Sequence, residues 1–242
     1  MAMGMPARIF ATLLRIVPGR TRNWMWKWWY QRLARAHKRA DFRFMNYGYI
    51  DDKKLELLKE DEPNRLFIQL YNVNIRDVDL NGKEVVEVGC GRGGGASWIA
   101  KTYNPKKLVA FDFSKDAIEL ASNWYSSQDN LFFKFGNAED IPLEDNSKDV
   151  IYNVESSHCY GNVEAFVKEV YRSLRSGGNF CWTDFRDKET MEKLHDIFLE
   201  VGFKIVSKKN ITKKVLDALD DINDTKVKGI SENVPVGMKK SF

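Results

Sequence analysis

The first residues of this chain that could do chemistry are Glu87-Val88-Gly89-Cys90-Gly91-Arg92-Gly93-Gly94-Gly95, a run with five glycines in nine positions. Glycine lets a backbone turn tightly and approach a ligand that any Cβ would exclude. A helix starting just after such a loop offers its N-terminus to electronegative groups. Gly89, Gly91 and Gly94 fit the G-x-G-x-x-G dinucleotide pattern, which is weak alone. Asp112 follows Glu87 by 25 residues, where a carboxylate at a strand end can accept both hydroxyls of a ribose. Gly136-Asn137-Ala138-Glu139 forms a third candidate loop. On these residues S-adenosylmethionine, a nicotinamide dinucleotide and a purely structural glycine turn all remain open. His158 is the best-placed acid–base residue, because imidazole titrates near neutral pH. No Cys/His spacing suits a metal, and Cys90, Cys159 and Cys181 read as reduced thiols.

These loops need a scaffold that gathers strand ends, and the pattern from Lys83 onward supplies one. β-Branched or aromatic runs at residues 85–88, 108–111, 131–135, 150–154, 179–183 and 203–206 predict six strands. Helical patterns lie between them at 96–102, 115–126, 163–174 and 189–201, after an opening helix over 65–73. Phe166, Val170 and Leu174 recur four residues apart, which reads as a core stripe. The alternation predicts an α/β fold, a Rossmann-like doubly wound parallel sheet with helices on both faces. Ligands of such sheets collect at the carboxyl ends of the strands. The glycine loop, Asp112, Glu139, residues 153–160 and Asp184 all fall at such ends, so one crevice could hold them. The chain divides into an arm and lid over 1–64, a core over 65–206 and a C-terminal helical segment over 207–242.

Glu87, two residues before the first glycine, completes an E-x-G-x-G-x-G loop, and with Asp112 and residues 136–139 it sets a series that a dehydrogenase would not share in full. The chain resembles class I S-adenosylmethionine-dependent methyltransferases, and within them the phthiotriol/phenolphthiotriol dimycocerosate methyltransferase group, which O-methylates very lipophilic polyketide-derived lipids. The likeness runs from about Trp26 to the end of the chain. It is carried by Met45-Asn46-Tyr47-Gly48-Tyr49, Glu62-Pro63-Asn64-Arg65, Gln69-Leu70-Tyr71, the glycine loop, Asn153-Val154-Glu155-Ser156-Ser157-His158-Cys159-Tyr160, Leu174-Arg175-Ser176-Gly177-Gly178 and Asp184-Phe185-Arg186. Sterol C-methyltransferases and tocopherol methyltransferases are similar at a greater distance. The resemblance implies S-adenosylmethionine as cofactor, held by Tyr47, Glu87, Gly89, Cys90, Gly91, Gly93, Asp112, Phe113, Asn137, Ala138, Glu139 and Asn153, with no metal. The group usually has Asp where this chain has Asn137. It also has a final strand for which this chain has no residues, so the sheet is expected to lack its last strand. A hydroxyl acceptor must lose a proton as it attacks, which makes His158 the candidate base. An alkene acceptor would form a carbocation instead, and Glu155 and Asp184 would then stabilise it. Tyr47 and Tyr49 are candidates for a lid over the cofactor. A soluble methyl acceptor and an inactive relative of the same fold are the competing functions.

The formal charge of +4 hides an asymmetry. Residues 1–40 hold nine basic side chains and no acidic one, leaving 29 basic against 34 acidic groups in the remainder. Trp24, Trp26, Trp28 and Trp29 fall in the same stretch. Residues 9–17 and 26–33 read as amphipathic helices with cationic and apolar faces, which can lie in a membrane interface. Peripheral membrane contact is therefore expected through residues 8–39, on a cytoplasmic protein. The acid-free start also resembles a mitochondrial transit peptide. No apolar run reaches the length of a membrane span. The acidic body and the lack of a nucleic-acid-reading motif argue against DNA or RNA. The expected partner is a lipophilic small molecule.

Overall fold

Side chains along the strands alternate between two apolar layers, and this alternation makes a sheet covered by helices on both faces. In the computed structural model, which describes residues 43–53 and 55–233, the strands are β1 (Glu84–Val88), β2 (Lys107–Asp112), β3 (Leu131–Phe135), β4 (Lys148–Val154) and β5 (Leu174–Thr183). Their order is β3-β2-β1-β4-β5, and every neighbouring pair is parallel. Helices α1 (Arg65–Ile75), α2 (Gly94–Tyr103), α3 (Lys115–Trp124), α4 (Val163–Ser173), α5 (Lys188–Val201) and α6 (Thr212–Asn233) complete the fold. Val85, Val150 and Tyr152 face the layer holding Ile68, Leu70, Trp98 and Ile99 of α1 and α2. Val86 and Ile151, their neighbours in sequence, face Phe166, Val170, Leu194 and Phe198 of α4 and α5. Phe44 and Tyr49 are buried in the first layer, so Tyr49 is a packing residue and not a lid.

The predicted helices agree with the structure to within a few residues at each end. Side chains cap three of them: Ser114 Oγ accepts from Ala117 N, Asn162 Oδ1 from Ala165 N, and Asp187 Oδ1 from Thr190 N. The expected sixth strand does not form, because residues 203–206 pair with no strand among the described residues. Phe203 packs instead against Tyr171 and Phe180, at ring separations of 5.1 and 5.8 Å, while Val206 lies in solvent. A β-rich segment becomes a strand only where a neighbour takes its backbone groups, and this one has none. Leu174, expected to end a helix, already pairs with Lys148. The ladder resumes only at Val150 and Asn179, with the residues between bulged around Gly177 at φ 78°. The expected amphipathic helices at 9–17 and 26–33, and the membrane contact through 8–39, lie outside the described residues.

Strands after β1 run outward to β2 and β3, and the chain then crosses back to place β4 on the other side of β1. The reversal opens a crevice at the carboxyl ends of β1 and β4. Every functional side chain considered below stands on a loop at that edge or packs directly beneath it.

Candidate active site

The glycine loop leaves β1 with Gly89 and Cys90 donating their N–H groups to Phe111 O on the adjacent strand, at 2.8 and 2.9 Å. Gly89 has φ 82°, and a Cβ there would sit 2.1 Å from Ser156 Oγ. Only glycine lets β1 end this close to the turn after β4. Gly91 N–H donates to Asp112 Oδ2 at 2.8 Å, so the second strand's carboxylate is tied to the loop. Asp112 Oδ1 accepts from Ser114 N at 2.8 Å. Burial pushes Asp112 up to about 6 despite these backbone donors.

Together these loops enclose a cleft of about 430 Å³, within the range usual for small-molecule sites. Gly89, Cys90, Gly91, Asp112, Phe113, Asn137, Ala138, Glu139 and Glu155 all line it. Phe113 stacks on Phe135 at 5.6 Å, and Asn137 Oδ1 accepts from Glu139 N. Glu139 lines the wall, but its Oε1 accepts from Gly161 N at 2.7 Å and Asn162 N at 3.1 Å. That carboxylate therefore anchors the loop before α4.

Five expected site residues stand off the lining. Glu87 is fully buried beneath the loop, where Tyr71 and Tyr152 donate their hydroxyls to its two oxygens, each at 3.0 Å. Burial raises it to about 7 against those two hydrogen bonds, and Asp112 adds to the rise. Gly93 caps α2 and faces the Phe133 ring. Asn153 is wholly buried and donates to Val88 O, Ser156 Oγ and Tyr160 OH, knitting β4 to the end of β1, while its own Oδ1 has no partner among the described residues. Tyr47 and His158 sit at the rim around Phe185, whose ring is 5.4 Å from Tyr47 and 4.2 Å from His158.

The rim holds a cluster of ionisable groups. His158 Nδ1 is 2.8 Å from Asp184 Oδ1, and His158 N–H and Ser157 Oγ both donate to Asp184 Oδ2. Arg186 lies 3.3 Å from the same carboxylate. Burial alone would raise Asp184, but His158, Arg186 and Ser157 hold it below its ordinary value. Burial alone would lower His158, but Asp184 and Cys159 raise it to about 9. Glu155 adopts a left-handed backbone at φ 45° and accepts Tyr47 N–H on Oε2 at 2.8 Å. Burial raises it to about 7, opposed by that N–H, reinforced by Asp184 and opposed by His158.

The sequence groups Ser156 and Tyr160 with residues 153–160 at the crevice without singling them out; both line the cleft and share a 2.9 Å hydroxyl contact. Their four-residue spacing after a strand is the local signal that could have singled them out. Sequence reasoning missed the pairing of His158 with Asp184, for which no local signal exists.

A family model described as a methyltransferase domain matches residues 86–182. A phthiotriol/phenolphthiotriol dimycocerosates methyltransferase of Mycobacterium tuberculosis is 35% identical over 212 residues, covering 87% of this chain and 78% of that one. A fatty-acid O-methyltransferase of Mycolicibacterium smegmatis is 36% identical over 204 residues, covering 81% of this chain and 74% of its own. Among solved structures, the [4+2]-cyclase SpnF superimposes with a TM-score of 0.64 at 16% identity, over 84% of this chain and 85% of that one. The last likeness shows the fold alone, since one fold hosts several chemistries.

Proposed function

This chain belongs to the class I S-adenosylmethionine-dependent methyltransferases, in the group of the phthiotriol/phenolphthiotriol dimycocerosate enzymes, and from that membership we propose that it O-methylates a hydroxyl of a lipophilic small molecule: a lipid, polyketide or isoprenoid. S-adenosylmethionine is its cofactor, and when bound it supplies a methyl group already activated on a sulfonium sulfur. The residues present fit that group: the backbone of Gly89 and Gly91 and the buried Asp112 carboxylate line one cleft of about 430 Å³. Gly89, Cys90 and Gly91 would hold the cofactor by backbone approach, and Asp112 by accepting hydroxyls. Phe113 and the 137–139 loop would cover its base.

The chain's own work is then to align the acceptor, keep water out and remove one proton. The observation that carries the hydroxyl reading is the Glu155, His158 and Asp184 cluster at the β4 and β5 ends. Transfer to a hydroxyl needs a proton acceptor, whereas transfer to a carboxylate needs none. The exposed rings of Tyr47 and Phe185 and the side chain of Met45 give the rim an apolar surface, which supports a lipophilic acceptor. Both cited relatives act on molecules of that kind by name.

The test is to incubate the full chain with methyl-labelled cofactor and a lipid extract, then treat the product with base. A labelled lipid that survives as a base-stable ether supports the proposal. A label released as a methyl ester points to a fatty-acid carboxyl, and no labelled lipid at all ends the lipid reading.

A further inference from the structure

Glu155 holds a conformation that costs free energy for a residue with a Cβ. Left-handed backbone at a side chain of this size is disfavoured by roughly 1 kcal/mol or more and persists where surrounding structure enforces it, often at functional sites. Here the enforcement is visible: Glu155 N–H donates to Thr183 O at 2.7 Å as β4 ends, which turns the side chain into the cleft. Tyr47 N–H then fixes Oε2, while Oε1 accepts no hydrogen bond among the described residues. His158 is differently placed. Its Nδ1 is taken by Asp184, its ring lies against Phe185, and it does not line the cleft.

We propose that Glu155 Oε1 is the catalytic group that takes the acceptor's hydroxyl proton, and that the His158–Asp184 pair positions and tunes it without taking the proton itself. This rests on the hydroxyl-transfer reading above. In the step, the acceptor's O–H bond breaks and its electron pair goes to the new O–CH3 bond. The proton goes to Glu155 Oε1, the S–CH3 pair stays on the sulfur of the leaving thioether, and Glu155 later returns the proton to solvent. Tyr47 and Tyr71 face Glu155 from the N-terminal segment and α1, His158 and Cys159 from the turn after β4, and Asp184 from the end of β5. A carboxyl raised to about 7 is matched to taking a proton near neutrality, while an imidazole raised to about 9 is already protonated there.

The test uses the full chain with a long-chain secondary alcohol in mixed micelles as acceptor, and a second readout free of turnover. That readout is NMR titration of the cofactor-free protein with labelled glutamate carboxyls, the Glu155 signal being assigned by its loss in Glu155→Gln. The expected result is a Glu155 signal titrating near 7 and an acid limb of kcat at the same pH. Glu155→Gln should lower kcat about 100-fold or more and leave S-adenosylhomocysteine binding, measured by calorimetry, within about threefold. Glu155→Asp, which keeps the carboxylate but shortens its reach, should recover part of that loss.

Three results would overturn the assignment. Glu155 could titrate in the ordinary carboxylate range. Turnover could survive in Glu155→Gln. The acid limb could lie near 9 and vanish in His158→Gln, which would give His158 the proton. A wild-type chain that binds S-adenosylhomocysteine but methylates no alcohol brings down the hydroxyl reading and this assignment with it, even where the NMR titration is as expected.

Discussion

Asp184 shows how much one buried carboxylate can organise: it accepts from Ser157 Oγ, from His158 N–H and from His158 Nδ1, and Arg186 stands beside it. Its effect on His158 has a definite sign. The imidazole's ordinary value is 6.5 and its folded value about 9, so the folded state favours the proton. That contribution to stability is fully present below about pH 6.5 and is lost as pH rises through about 9. At the scale of this residue, Asp184→Asn should cost up to about 3 kcal/mol near pH 6, with the gap narrowing above about pH 9. Urea unfolding of both proteins at the two pH values measures it. A gap of equal size at both would mean that the pair is not an ion pair in the folded protein. Glu87 teaches the opposite lesson, because a carboxylate in a motif position proves to be a buried acceptor for two tyrosines.

Helix α2 meets α1 through the glycine loop's last residue. A Cβ at Gly95 would sit 1.9 Å from the Tyr71 ring, and Tyr71 donates its hydroxyl to Glu87. Gly95→Ala must therefore push Tyr71 off Glu87 or push the two helices apart, and overpacking of this kind costs about 1–3 kcal/mol. Thermal unfolding should show the loss, and calorimetry with S-adenosylhomocysteine should show weakened binding, since Glu87 lies directly beneath the loop. An unchanged melting temperature would show that the α1–α2 contact is looser than these distances imply. At this scale most elements were readable, because periods of 2 and 3.6 residues are local properties of side-chain order. The exception, residues 203–206, had the composition of a strand but no neighbour to pair with. Leu174 likewise fits a helical stripe, yet it leaves α4 to pair with Lys148 because β4 lies beside it.

Across the whole molecule the charges divide into a basic, tryptophan-rich start and an acidic remainder. We propose that residues 8–39 hold the protein at an anionic membrane surface. Each cation near such a surface contributes up to about 1 kcal/mol, and salt screens it. The full chain should co-sediment with phosphatidylserine-containing vesicles at low salt and release at high salt. Replacing the arginines at 32 and 35 by glutamate should weaken binding several-fold. Equal binding to neutral and anionic vesicles would remove the electrostatic part of the proposal. No described helix is long and apolar enough to cross a membrane.

The glycine loop, Asp112 and the strand–helix alternation could be read in the sequence because each depends on neighbours a few residues away. They were enough to predict the sheet, while the cofactor came with the family resemblance that Glu87 and residues 136–139 complete. The folded chain settled which of those residues face the cleft. Glu87 lies beneath it, Asn153 ties β4 to β1, and Glu155 is turned inward by a backbone bond to β5. His158 and Asp184 are 26 residues apart and meet only because β4 and β5 pair in parallel and end together. Strand adjacency is a long-range outcome of packing both faces of the sheet, so the candidate acid–base groups could be named one by one from the sequence, while their partnership came from the fold.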